Sequence, residues 1–176
     1  MSPDFELTTD ELRAVARFVA ESAQPLLPVF ERHRPDDHRP RAALEAAWVF
    51  VDGAPRSRLQ RVTSLDAHRA AKDATTQAAR LAARAAADAA SAAYLHPIAK
   101  ATQVGHILRG PASAARVAEL EAGDDEAVGD RTLEVLARRA GPTVVDVLRR
   151  YPRPLVAANR VSRLVAALDT ALRAGR

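Results

Sequence analysis

Two groups of polar side chains in this sequence are spaced so that they could hold a partner or do chemistry. The first is Asp36, Asp37, Arg39 and Arg41, bracketed by Pro35 and Pro40, with Glu45 one helical turn further on. Opposite charges packed into a proline-stiffened loop suit a rigid partner-binding hook, because the prolines restrict the backbone before any partner does. The plainer alternative is a helix start capped by Asp36 or Asp37, with the arginines folded back as ion pairs. Arg41 and Glu45 would form an i, i+4 pair worth roughly 0.2–0.5 kcal/mol.

The second group is His68, Tyr94, His96, Lys100 and His106, which could line a polar pocket together with Thr102 and Gln103. The alternative here is a helix cap plus one satisfied buried histidine. Neither group points to a metal. His33 and His38 have Pro35 between them, and His96 and His106 fall at the two ends of one predicted helix, roughly 15 Å apart at 1.5 Å per residue. The chain has no cysteine, so a disulfide framework, a thiol redox centre and a thiolate zinc site are excluded. No glycine-rich phosphate loop, H-E-x-x-H pair, nucleophile elbow or calcium loop occurs, so no cofactor is expected and no enzyme is indicated.

The elements that must position these residues are helices. Alanine supplies 40 of 176 residues, against 7 glycines and 7 aromatics, which disfavours a β-sandwich. Thr8 and Glu11 form a capping box ahead of Leu12, Val15, Val19 and Ala23. Pro25 and Pro28 predict a break near Gln24 and then a short helix. A helix follows to about Val51, burying Leu44, Ala47, Trp48 and Val51, and stops at Asp52-Gly53-Ala54-Pro55. Another spans about Ser57 to Lys72 with an apolar stripe of Leu59, Val62 and Leu65. Residues 75–95 are so rich in alanine that a helix is secure, and one with so little side chain buries its face only by close approach to at least two neighbours. Arg80, Arg84 and Asp88 mark its wet side.

His96-Pro97 begins a helix to about Arg109, which Gly110-Pro111 breaks or kinks. A further helix ends at Gly123. Asp130, Pro142 and Asn159 open the last three. The expected architecture is therefore all-α, a single-domain bundle of about eight to nine helices around a central alanine-rich one. One domain should span residues 1–176, with flexible ends at about 1–6 and 174–176.

Charge is unevenly placed. Residues 119–134 carry seven acids against Arg131, while residues 138–176 carry nine arginines against Asp146 and Asp169. Much of this complements helix dipoles, with Asp124, Asp125, Glu126 and Asp130 at predicted starts and Arg138, Arg139, Arg149 and Arg150 at predicted ends. No apolar run is long enough to cross a membrane and the first ten residues are no secretory signal, so a cytoplasmic home is expected.

Five stretches carry a family resemblance: Glu6–Ala16, Pro35–Ala47, Asp66–Lys72, Ala93–Leu108 and Ala114–Asp125. Together they resemble the immunity-five-like domain of alanine-rich bacterial immunity proteins, over about residues 5–172. That resemblance implies an all-helical fold and a role in neutralising a toxin, and it brings no catalytic residues. The expectation is a non-enzymatic protein binding an unidentified toxin through the 34–41 loop and the acidic 119–134 stretch, with a basic toxin suiting the latter. The alternative is nucleic-acid binding through the C-terminal arginines, although they alternate with core positions and only Tyr151 could stack on a base.

Overall fold

The computed structural model describes residues 5–175, and among them there are nine α-helices and no strand. These are α1 (Thr9–Ala23), α2 (Leu27–His33), α3 (Arg39–Val51), α4 (Arg58–Asp73), α5 (Gln77–Ser91), α6 (Val104–Glu121), α7 (Glu126–Arg139), α8 (Pro142–Arg149) and α9 (Arg160–Arg173). Local sequence fixes most of their ends. Thr8 and Ser57 make capping boxes with Glu11 and Gln60, while Thr76, Asp125 and Asn159 cap α5, α7 and α9 through their side chains. Gly123, at φ +77°, closes α6 as expected.

The alanine-rich α5 is the axis of the bundle. It packs against α1, α2, α3, α4 and α6, and every alanine from Ala78 to Ala90 is buried. Asp88 departs from the expected wet side: its side chain is 0% exposed and is paired with Arg109 of α6. A polar residue on a helix surrounded by neighbours can stay only with a partner.

Three further expectations change. First, α6 does not start at His96-Pro97. Residues 95–100 are irregular, because the His96 carbonyl accepts from the Tyr151 hydroxyl at 2.8 Å and the Pro97 carbonyl from the Phe5 amide at 3.4 Å. Second, α6 then runs unbroken through Gly110-Pro111. A Cβ on Gly110 would stand 2.7 Å from Val19 of α1, so the glycine admits a neighbouring helix rather than a turn. Third, Asp130 lies inside α7 rather than at its cap.

Trp48 is half-buried, not buried, and its indole N–H donates to Gln24 Oε1 at 2.8 Å. At the N-terminal end, residues 1–4 of the expected flexible segment lie outside the described residues, as does Arg176. Within the described residues, Phe5 and Glu6 are held. Phe5 stands edge-on to Tyr151 at 4.9 Å, and Arg150 donates to the Glu6 carbonyl at 3.0 Å.

A candidate partner-binding face on α4

α4 contradicts its own hydrophobic pattern. Leu59, Val62 and Leu65 are 46%, 39% and 52% exposed, while Gln60, Ser64, Ala67, Ala70 and Ala71 are buried. The reason is size. α4 joins α5 through a three-residue link and packs back along it. Against a helix of alanines, a row of small side chains lets the two axes approach closely; leucines would hold them apart. Ser64 Oγ donates to the Ala87 carbonyl at 2.9 Å across this seam, and Gln60 Nε2 donates to the Ala46 carbonyl of α3 at 3.0 Å. The informative signal was thus the Gln60-Ser64-Ala67-Ala71 spacing, not the leucines.

Both sequence-predicted groups meet α4. At its C-terminal end, Arg39 is shared between Asp37 at 2.6 Å and Asp73 at 2.7 Å, and Arg34 donates to the Asp73 carbonyl at 3.1 Å. Asp37 also accepts from the Arg39 amide at 3.2 Å, and hydrogen bonding to Arg39 holds its carboxyl below the usual carboxylate range. His38, not Asp36 or Asp37, occupies the α3 cap position. Arg41 pairs with Glu31 of α2 at 2.7 Å rather than with Glu45, which stays exposed. Asp36 is exposed as well.

At the N-terminal end of α4, the Tyr94 hydroxyl donates to the Ser57 carbonyl at 2.6 Å. Arg56 and Arg61 lie over the Tyr94 ring at 5.0 and 4.8 Å. His68, in contrast, is half-buried on the inner flank of α4, near the Asp88–Arg109 pair. His106, in the first turn of α6, is near the same pair and near His96. Burial pushes the imidazoles of both His68 and His106 below their ordinary range. Two of the five residues, His68 and His106, therefore lie near Asp88, Tyr94 belongs to the α4 start, and His96 and Lys100 are exposed. Among the described residues no three metal-ligating side chains converge.

The charged segments are largely spent on each other. Glu119 is fully buried and accepts from Arg116 at 2.8 Å and from Arg160 Nε at 3.0 Å. Arg160 also reaches Asp130 at 3.3 Å and Glu126 at 3.8 Å, and Arg163 reaches Glu126 at 3.7 Å. Glu121 pairs with Arg32, Asp124 with Arg116, and Asp125 caps α7. In the basic segment Arg153 and Arg173 clamp the buried Asp169, and Arg150 clamps Glu11, holding that carboxyl at about 2. Arg160 and Arg163 thus tie the arginine-rich tail to the acidic stretch, while the remaining pairs reach other parts of the fold.

No helix of the described residues is long and apolar enough to cross a membrane. No curated protein and no solved structure matches the chain. A family model described as Imm-5 like putative immunity protein matches residues 6–132, from just ahead of α1 into the middle of α7, and stops short of the expected residue 172. All five resembling stretches lie inside the match, which covers more than two thirds of the sequence, and the chain belongs to this family of immunity-like proteins.

Proposed function

We propose that this chain is a non-enzymatic binding protein that neutralises a toxin in the cytoplasm by covering a surface the toxin needs, acting as one helical domain. The observation that supports this best is the α4 face: three aliphatic side chains turned outward on a helix whose two ends are fastened to neighbouring loops. A rigid helix presenting apolar side chains is suited to protein recognition. The loop at 34–41 adjoins this face through Asp73, so the two form one surface. Asp36 is exposed and unpaired among the described residues, as a contact to a partner requires, while Asp37, Arg39 and Arg41 mainly hold the loop in place.

Co-expression with toxins encoded beside this gene tests the reading. Growth should be protected, and the purified pair should form a stoichiometric complex. Protection without a complex would overturn it, because it would require a chemical route to neutralisation. Replacing Asp37 and Arg39 together with alanine should lower the melting temperature by several degrees. Losing the hydrogen bonds that tie Asp37, Arg39 and Asp73 together costs about 1 kcal/mol, and each such step shifts a chain of this size by about 2–4 °C. Below that melting point the double variant should still protect, and loss of protection with unchanged melting would make the two residues direct contacts instead.

A further inference from the structure

We propose that the outward face of α4 docks an acidic protein surface, specifically a helical segment of the partner whose aliphatic side chains are flanked by carboxylates; this rests on the reading of the chain as a protein-binding immunity protein. The apolar row sits inside a basic frame. Residues 54–84 hold seven basic side chains against Asp66 and Asp73. Both acids are already engaged, Asp66 with Arg69 at 2.6 Å and Asp73 with Arg39 at 2.7 Å. The exposed Arg58, Arg61 and Lys72 on α4 form no ion pair among the described residues, and neither do Arg56 before it or Arg84 on α5. The charge offered outward is therefore positive, and a partner of complementary potential is acidic.

Two features make this a prepared surface rather than a chance exposure. Arg56 and Arg61 are already stacked on Tyr94, so less side-chain freedom is lost when they meet a carboxylate. The helix itself is rigid, capped by Ser57 at one end and held by Arg34 and Arg39 at the other. Leu59 to Leu65 span roughly 9 Å, about the reach of two turns of a facing helix. That aliphatic row separates this surface from a phosphate-binding one, since a nucleic-acid backbone offers nothing to cover leucine and valine. Six of the seven acids of the 119–134 stretch, by contrast, are engaged within the fold, so the partner's expected charge is the reverse of what the sequence alone indicated.

The probe is a labelled helical peptide with a leucine stripe flanked by glutamates, compared with the same peptide carrying lysines instead, using fluorescence anisotropy at low and high salt. The glutamate peptide should bind at least about tenfold tighter and weaken as salt rises. Leu65→Asp should abolish its binding with unchanged melting, and Arg58→Glu with Arg61→Glu should reverse the preference toward the lysine peptide. Equal binding of both peptides, or of neither, overturns the proposal. So does Leu65-dependent binding of duplex DNA or of anionic phosphatidylserine vesicles, or a Leu65-dependent dimer in sedimentation. Protection from a toxin that survives both sets of substitutions would sink this inference while leaving the immunity reading intact. Peptide binding without protection from any neighbouring toxin would do the opposite.

Discussion

α4 and α5 lie side by side, differ by one residue in length, and use their side chains in opposite ways. α5 hides a nearly continuous run of alanines and one aspartate from water on every side. α4 hides its small residues and shows its leucines and valine. The difference teaches that fit outranks hydrophobicity when one partner is very slim. A leucine turned inward from α4 would gain burial yet force the helices apart, losing contact along the whole seam. The face left outside is then free to be recruited for another purpose.

The sharpest way to break this comparison is to give α5 the side chains of α4. Ala86→Leu or Ala90→Leu should cost about 3 kcal/mol or more, at or beyond the top of the usual overpacking range, because both positions are buried in a helix against which five others pack. Leu133→Ala, in α7, should cost about 2 kcal/mol. Urea unfolding of the three variants measures this, and tolerance of leucine at both alanines would show that α5 is not confined.

A smaller effect tests whether the seam is dry. His68 and His106 have imidazole pKa values lowered by burial, so the unfolded chain binds protons more readily than the folded one below the ordinary value of 6.5. Where the unfolded state holds more protons, stability rises with pH. The contribution is therefore intact above that value and declines as the pH falls through it toward the lowered folded values. Urea midpoints should drop between about pH 7.5 and about pH 5.5 by an amount that vanishes in a His68→Gln, His106→Gln double variant. The Glu11–Arg150 pair weakens only lower, between the ordinary 4.5 and about 2, and leaves this window clear. A midpoint unchanged or rising on acidification would mean that the imidazoles are solvated.

The smallest effect falls on α4 itself. Leu65→Gln should change stability by no more than about 0.5 kcal/mol, since the side chain is more than half exposed. Ala67→Leu, two residues away on the buried face, should destabilise clearly. Calorimetry of this pair would refute the assigned face if the order were reversed.

Much of this fold could be read from local chemistry. The capping boxes at Thr8 and Ser57, the proline break after Ala23, and the alanine axis all follow from interactions within a turn or two. What sequence did not reveal depends on residues far apart in the chain. Gly110-Pro111 looks like a stop until Val19 is seen against it, and His96-Pro97 looks like a helix start until Tyr151 and Phe5 take its carbonyls. Of the 34–41 charges, the fold-back of Arg39 onto Asp37 was legible, but its sharing with Asp73 and the pairing of Arg41 with Glu31 were not, because those acids come from other helices. The α4 face was not, because periodicity marks an apolar stripe without saying which side a slim neighbour will accept.

The clamp on Glu119 bears on the order in which the chain is made. Its carboxylate lies so close over Gly129 that a Cβ there would be 1.9 Å from Oε1, and of its two arginine partners the second, Arg160, comes 41 residues later. The ribosome has therefore polymerised the whole of α6 and α7 before the second cation of their shared acid is added. Until then Arg116 alone answers the buried carboxylate at the place where those two helices seat, and the clamp closes only once α9 has been made. Chains cut short ahead of Arg160 would keep that end open, which makes them ready substrates for proteolysis.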